Sequence, residues 1–315
     1  MPSRPPASRS RLATTARAVA LGSLFALAGG CAQPDDAAGN QPGSELSGVL
    51  LDLQLSEVSG LAASHKHDGV LWLHDDGDNP PRLFAVNERG GRLATFRIED
   101  VTKTDWEDIA TFELDGKRYL LIADTGDNGG LRRTLQLHVV EEPTTLRNAR
   151  LKPAWSIAFR WPDGARDCEA VAVDARRGEI LLVSKKRQPP ELFSLPLRPP
   201  AGELLTAQPL ATLNGMPEPD PTRLKHAPER AKHDGQVTAA SLSPDGTTLA
   251  VMTYRYLLLY RRAEGDNWAE AVSGQPLTSV LPWLPQAEAL GWAPDGRSLY
   301  ATGEFIPAPL YRITP

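Results

Sequence analysis

Carboxylates recur along this chain at a spacing that would gather them in one place. Glu57, Asp105, Glu107, Asp167, Glu169 and Glu288 stand at, or two residues before, the start of short segments that turn apolar. On a β-strand, side chains two apart face the same way, so such pairs project together. A set of hard oxygen donors selects Ca²⁺ first and Mg²⁺ second. Without a cation, close carboxylates repel one another and hold protons. The plain alternative is a hydrated channel in which lysines neutralise the acids. A second group lies where the following apolar runs end: Asp75, Asp124, Asp127, Lys185, Lys186, Tyr254, Arg255 and Glu304. These would meet a ligand at the same face, whether a small molecule, a glycan or a protein. The fragments DDGDN (75–79) and DTGDN (124–128) share the composition of calcium loops, but neither has the closing glutamate at the proper spacing.

The elements that must position these residues come in five copies. SGLAASHKHDG from Ser59, EDIATFELDG from Glu107, EAVAVDARRG from Glu169, TAASLSPDG from Thr238 and EALGWAPDG from Glu288 each read as a strand entering a tight turn. A second apolar run follows each turn, then a third strand, and a fourth in every copy except the last. Residues 48–55, GVLLDLQL, precede the first copy and belong to no repeat, so they supply the missing strand and close a ring. This is the closure of an all-β, five-bladed β-propeller. A six-bladed ring is the alternative, with a degenerate blade in residues 213–236, although their proline and charge content reads as an inserted loop.

In such a ring the innermost strands line the channel. The copy-start set Ser59, Glu107, Glu169, Thr238 and Glu288 and the set two before it, Glu57, Asp105, Asp167, Gln236 and Gln286, are all polar. The residues between them, Val58, Trp106, Cys168, Val237 and Ala287, are apolar and should pack between blades. Cys168 therefore reads as a core hydrophobe rather than a nucleophile. The opposite face carries tight turns such as Pro244-Asp245-Gly246 and reads as structural. His65 and His67 fall on that face, and His226 and His233 in the inserted loop, a poor set for zinc. No G-x-S-x-G, P-loop or H-E-x-x-H pattern occurs.

Residues 1–30 read as a secretory signal, with Arg4, Arg9, Arg11 and Arg17 before an apolar run that ends at Ala-Gly-Gly-Cys. Cys31 then reads as the lipidated first residue of a lipoprotein, and Ala32 after it directs the protein to an outer membrane, facing the periplasm. Residues 31–46 form the lipidated cysteine and a flexible tether, and 47–315 the propeller. Losing the signal removes four arginines and no acid, which takes the formal net charge from -5 to -9. Nucleic acid is thereby disfavoured as a partner, and a monomer is expected. One free cysteine cannot make a disulfide framework, so the core must hold the fold alone.

The motifs at Glu57–Leu61, Asp105–Ala110, Asp124–Asn128, Asp167–Ala170, Val237–Gly246 and Ala287–Arg312 together resemble a family of secreted bacterial β-propeller proteins. They are more distantly similar to phytase-like and SdiA-regulated-type propellers. That resemblance implies a propeller fold and calcium at acidic positions. Phytase catalytic residues find no position-by-position match here, so their activity is not carried over. Three functions stay open from sequence: a propeller binding a divalent cation and a ligand at an acidic mouth, a metal-dependent phosphate-ester hydrolase, and an interaction scaffold of the cell envelope.

Overall fold

The computed structural model describes residues 43–77 and 79–315. The expected signal segment, Cys31, the expected tether up to residue 42 and Asp78 lie outside the described residues. The first strand, β1 (Gly43–Leu50), belongs to the last blade. Blade 1 follows as β2 (Val58–Ala63), β3 (Val70–Asp75), β4 (Arg82–Asn87) and β5 (Arg92–Ile98). Blade 2 is β6 (Trp106–Leu114), β7 (Lys117–Asp124) and β8 (Leu135–Glu141), completed by β10 (Trp155–Arg160) after the short β9 (Ala149–Leu151). Blade 3 is β11 (Cys168–Asp174), β12 (Glu179–Ser184) and β13 (Glu191–Pro196), completed by β15 (Gln208–Thr212) after the short β14 (Leu204–Thr206). Blade 4 is β16 (Val237–Leu242), β17 (Thr248–Thr253), β18 (Tyr256–Arg261) and β19 (Leu277–Val280). Blade 5 is β20 (Ala287–Trp292), β21 (Leu299–Gly303), β22 (Ala308–Thr314) and β1.

The ring is five-bladed, and the six-bladed alternative fails on the inserted residues. Instead of strands they form α1 (Pro221–His226) and α2 (Pro228–Ala231). Asp220 starts the first helix by accepting from the N–H groups of Thr222 and Arg223, with Pro221 at the first helical position. A third helix, α3 (Trp268–Ser273), carries an Asn267/Glu270 capping box.

Two strand expectations need correcting. The closing strand is 43–50, not 48–55, so Gly43–Leu46 lies in the sheet rather than in the tether. Asp52 ends the strand's run by accepting from Gln54 N–H, which turns residues 53–55 into one 3-10 turn. The run ELLTAQPLATL is two strands, because buried Ala207 donates its N–H to Arg160 O at 2.9 Å and divides it. Its first half, β14, pairs in parallel with β10 and covers the edge of blade 2, as β9 does for β5 of blade 1.

The core is distributed, with one buried cluster at each blade-to-blade interface. Val58, Trp106, Cys168, Val237 and Ala287 are all fully buried in it. The Cys168 thiol is pushed well up by burial, consistent with a packing role. At the seam between blades 5 and 1, a Cβ on Gly48 would lie 2.3 Å from the Arg89 carbonyl carbon, and one on Gly90, at φ +90°, 2.2 Å from Val49 O. Only glycine permits so close an approach.

Candidate metal centre at the acidic mouth

Every inner strand slips register by one residue at the same place: Ser59, Glu107, Glu169, Thr238 and Glu288. Each is a β-bulge, a device that re-aims a side chain. Ser59 and Thr238 use it to join blades, donating their hydroxyls to Trp106 O at 2.7 Å and Ala287 O at 2.6 Å. The three glutamates have no such partner in the next blade and turn into the channel mouth, all buried.

There the structure draws two sets together. Asp76, Asp105 and Glu107 each offer a carboxylate oxygen within 4.8 Å of the others, and so do Glu107, Asp167 and Glu169. Glu107 belongs to both. Of the six acids expected from sequence, Asp105, Glu107, Asp167 and Glu169 therefore converge. Glu57 is exposed and takes a hydrogen bond from Asn79, and Glu288 stands with Lys185, Tyr254 and Glu304. Asp76 was not among the expected ligands, although it follows β3 directly in the run His74-Asp75-Asp76.

Crowding in a buried place raises the proton affinity of these acids. Glu107 is pushed well up by burial and then by Glu169, Asp76, Asp105 and Asp167. Asp105 is pushed up to about 8 by burial and by Asp76 beside it. Glu169 is raised by burial and by Glu288, against the pull of Lys185. Burial lifts Glu288 to about 7 and Asp75 to about 6. Glu107 Oε1 is buried and has no hydrogen-bond partner. The backbone above it is held close by Gly126, whose Cβ would stand 2.0 Å from Glu107 Oε1 and 2.4 Å from Asp105 Oδ2. Any side chain at 126 would displace both carboxylates.

Three lysines of the mouth are engaged. Lys185 is buried, forms an ion pair with Glu169 and lies 5.2 Å from the centre of the Tyr254 ring. Burial alone would lower its pKa, but Glu169 and Glu288 outweigh that and raise it. Lys186 Nζ is 3.0 Å from Asp167 Oδ2 and donates to Asn128. Lys103, which sequence reading missed, donates to the carbonyls of Asp75 at 2.8 Å and Asp76 at 3.1 Å. Arg255 lies beside the Tyr256 ring, with a buried Nε that has no partner.

Asp124 and Asp127 are not free for a ligand, contrary to expectation. Asp124 accepts from Thr104 N–H, Asp105 N–H and Arg132, and Asp127 from Leu131 N–H and Arg132 N–H. Their calcium-loop composition serves the loop itself, since Asp folds turns by accepting backbone N–H groups. Glu304 accepts from the Gln286 amide and keeps its place at the rim.

One residue nearer the turn face, Asp108 closes the channel. Its carboxylate accepts from Ile109 and Val171 N–H at 2.8 Å and, across the ring, from Ala240 N–H at 3.2 Å. Burial raises its pKa against these three donors. Asp108→Ala leaves the donors unmatched in the interior and should cost about 3 kcal/mol. Urea unfolding measures this, and a loss under about 1 kcal/mol would remove Asp108 from the brace.

The turn face is less plain than its sequence suggested. It holds a depression of about 570 Å³ lined by His65, Glu113, Arg118, Arg176, Leu242 and Pro244 among others. None of the converging acids reaches it.

Compared with known proteins, the chain matches no family model and no curated protein sequence. Among solved structures, a nidogen/laminin complex aligns with 78% of this chain and 72% of that chain, at 15% identity and a TM-score of 0.40. The blade count rests on the chain's own strand pairing.

Proposed function

We propose that the protein is a divalent-cation-binding β-propeller whose acidic mouth takes Ca²⁺, with Mg²⁺ second. The observation that carries this reading is Glu107: a buried carboxylate shared by two acidic clusters, with one oxygen unpartnered. Leaving such an atom dry is costly, and a cation removes the cost while relieving the repulsion around it. All the converging donors are carboxylate oxygens, which calcium accepts in flexible geometry and larger number than magnesium.

The same reading includes an extracytoplasmic protein held by lipid at Cys31. In β1, Gly43 pairs with Thr314 at the turn-face end and Leu50 with Ala308 at the mouth end. Phosphate-ester hydrolysis is less well supported, because Lys185 and Lys186 are already engaged with Glu169 and Asp167. The scaffold reading gains from Trp283 and Phe305, both exposed on mouth-side loops.

Titration calorimetry on chelated protein tests the cation. Wild type should bind calcium with an affinity in the micromolar range. Glu107→Gln/Glu169→Gln keeps the shapes and should abolish the heat. Asp115→Asn, on the exposed turn face, should leave it intact. Absence of binding in wild type, or equal binding in the double variant, would refute the assignment.

A further inference from the structure

The outermost strand of each blade has a free edge, and this chain covers such edges by one device. The connection between the third and fourth strands of a blade reaches back over the fourth strand of the blade before it. In blade 2 that connection holds β9, parallel to β5, and in blade 3 it holds β14, parallel to β10. In blade 4 it is α3, which packs on β15. The carbonyls of Val272 and Ser273 there accept from Asn214 N–H at 2.9 Å and Asn214 Nδ2 at 3.1 Å. In blade 1 it is the turn after β4, which lies against β1. Its Arg89 O accepts from Val49 N–H at 3.3 Å and its Glu88 O from the Ser47 hydroxyl at 2.8 Å. In blade 5 the two strands concerned are β22 and β1, which no loop joins. The edge of blade 4, β19, is consequently bare among the described residues and pairs with β18 alone.

The covers of blades 1, 2 and 3 also fill the seam beneath them. Leu151 of β9 packs on the cluster between blades 1 and 2, and Leu205 of β14 on that between blades 2 and 3. Trp268, Ala271 and Val272 of α3 belong to the cluster between blades 3 and 4.

Between blades 4 and 5 the apolar walls are present without the cover. Tyr311 and Leu259, both partly buried, pack on the cluster of this seam. Leu46 is registered with Tyr311 and Leu277 with Leu259. Registered residues of paired strands share a face, so both leucines project into the seam, one from each blade. Yet Leu46 is 53% exposed and Leu277 49%. Trp283, 74% exposed, stands on the loop after β19, whose Leu281 and Leu284 belong to or pack on the same cluster.

We infer that this groove takes an extended apolar segment of a partner protein, which adds as a strand to β19 and lowers a leucine-sized side chain between Leu46 and Leu277. The segment runs parallel to β19, as β9 and β14 run to the edges they cover. A bare edge offers a row of unpaired N–H and C=O groups. In strand addition these supply affinity, and pockets for alternate side chains supply selection. The partner thus continues the interface that the chain builds for itself at the other seams. Residues 32–42, AQPDDAAGNQP, hold no large apolar side chain and do not suit the groove. No residue of the acidic mouth takes part, so the inference stands apart from the cation.

A labelled seven-residue peptide of alternating leucine and threonine, titrated with the full chain and followed by fluorescence anisotropy, tests it. The peptide should bind saturably. Leu46→Lys and Leu277→Lys should each weaken binding by about tenfold or more, since each removes a leucine that the peptide buries. Leu131→Lys, equally exposed but on blade 2, should not. Alternate residues of a strand present their N–H groups to opposite edges. Of two peptides N-methylated at the leucines or at the threonines, one should therefore lose binding and the other keep it. No binding at millimolar peptide, unchanged affinity in both groove variants, or equal binding of the two methylated forms would overturn the inference. A dimer of the chain that Leu277→Lys disperses would overturn it in favour of a second copy. Binding that appears only after removal of residues 1–42 would overturn it in favour of the chain's own segment.

Discussion

Removal of residues 43–50 should leave the ring unable to hold together. β1 pairs with β22 through seven registered residue pairs and carries the fully buried Leu50. At about 1 kcal/mol net per hydrogen bond and ~2–5 kcal/mol for a buried leucine, the loss is of order 5–10 kcal/mol. That approaches the whole stability of an ordinary domain, ~5–15 kcal/mol. It also bares β22 as an open edge beside the seam, so aggregation should accompany unfolding. Thermal unfolding and size-exclusion chromatography read both effects. A truncation that ends at residue 40 should keep the wild-type melting temperature. A single Gly48→Ala, which drives a Cβ into the Arg89 backbone, should reproduce part of the deletion. If the deletion melts like wild type, the N-terminal strand does not close the ring.

The second large effect is a loss of stability with rising pH that calcium should reverse. Asp105 at about 8 and Glu288 at about 7 hold protons in the folded chain that the unfolded chain releases near pH 4. Glu107 and Glu169 are raised in the same direction. The folded state therefore binds more protons through this range, and its stability falls as pH climbs toward the folded pKa values. Below about pH 6.5 the buried histidines oppose this. His74 is lowered to about 4 by burial, and His65 and His138 are lowered too, so they add stability as pH rises. The clean window is consequently about pH 6.5–8, where the carboxyls act nearly alone.

In that window the chelated protein should melt progressively lower. Calcium displaces the protons and should flatten the decline. With a dissociation constant near 10 μM, ~1 mM calcium adds about 2.7 kcal/mol. For a domain of this size that raises the melting temperature by about 5 °C. A chelated protein whose stability rises from pH 6.5 to 8 would contradict the crowded, protonated mouth.

The blades were legible because each repeats a strand, a tight turn and an apolar run, patterns local in sequence. The same locality hid several parts of the site. The bulges at Glu107, Glu169 and Glu288 leave the alternation of residue types intact, so only pairing reveals them. Asp108 acts on Ala240, 132 residues away, and nothing near it in sequence announces that reach. Asp124 and Asp127 were misread because the oxygen chemistry that binds calcium also folds a loop. Gly43–Leu46 passed for tether because glycine and serine at a strand's start look like linker. Its strand character comes from β22, at the far end of the chain. Asp76 was overlooked beside Asp75, although the turn after β3 brings it to Asp105 and Glu107.

The most direct test of the central claim is a crystal grown in calcium and measured where calcium scatters anomalously. The account predicts an anomalous peak at the mouth, bounded by Glu107 with Asp76 and Asp105 or with Asp167 and Glu169, and absent from Glu107→Gln crystals. A map with no peak there at millimolar calcium, and with Glu107 instead held by water or Lys185, would contradict it.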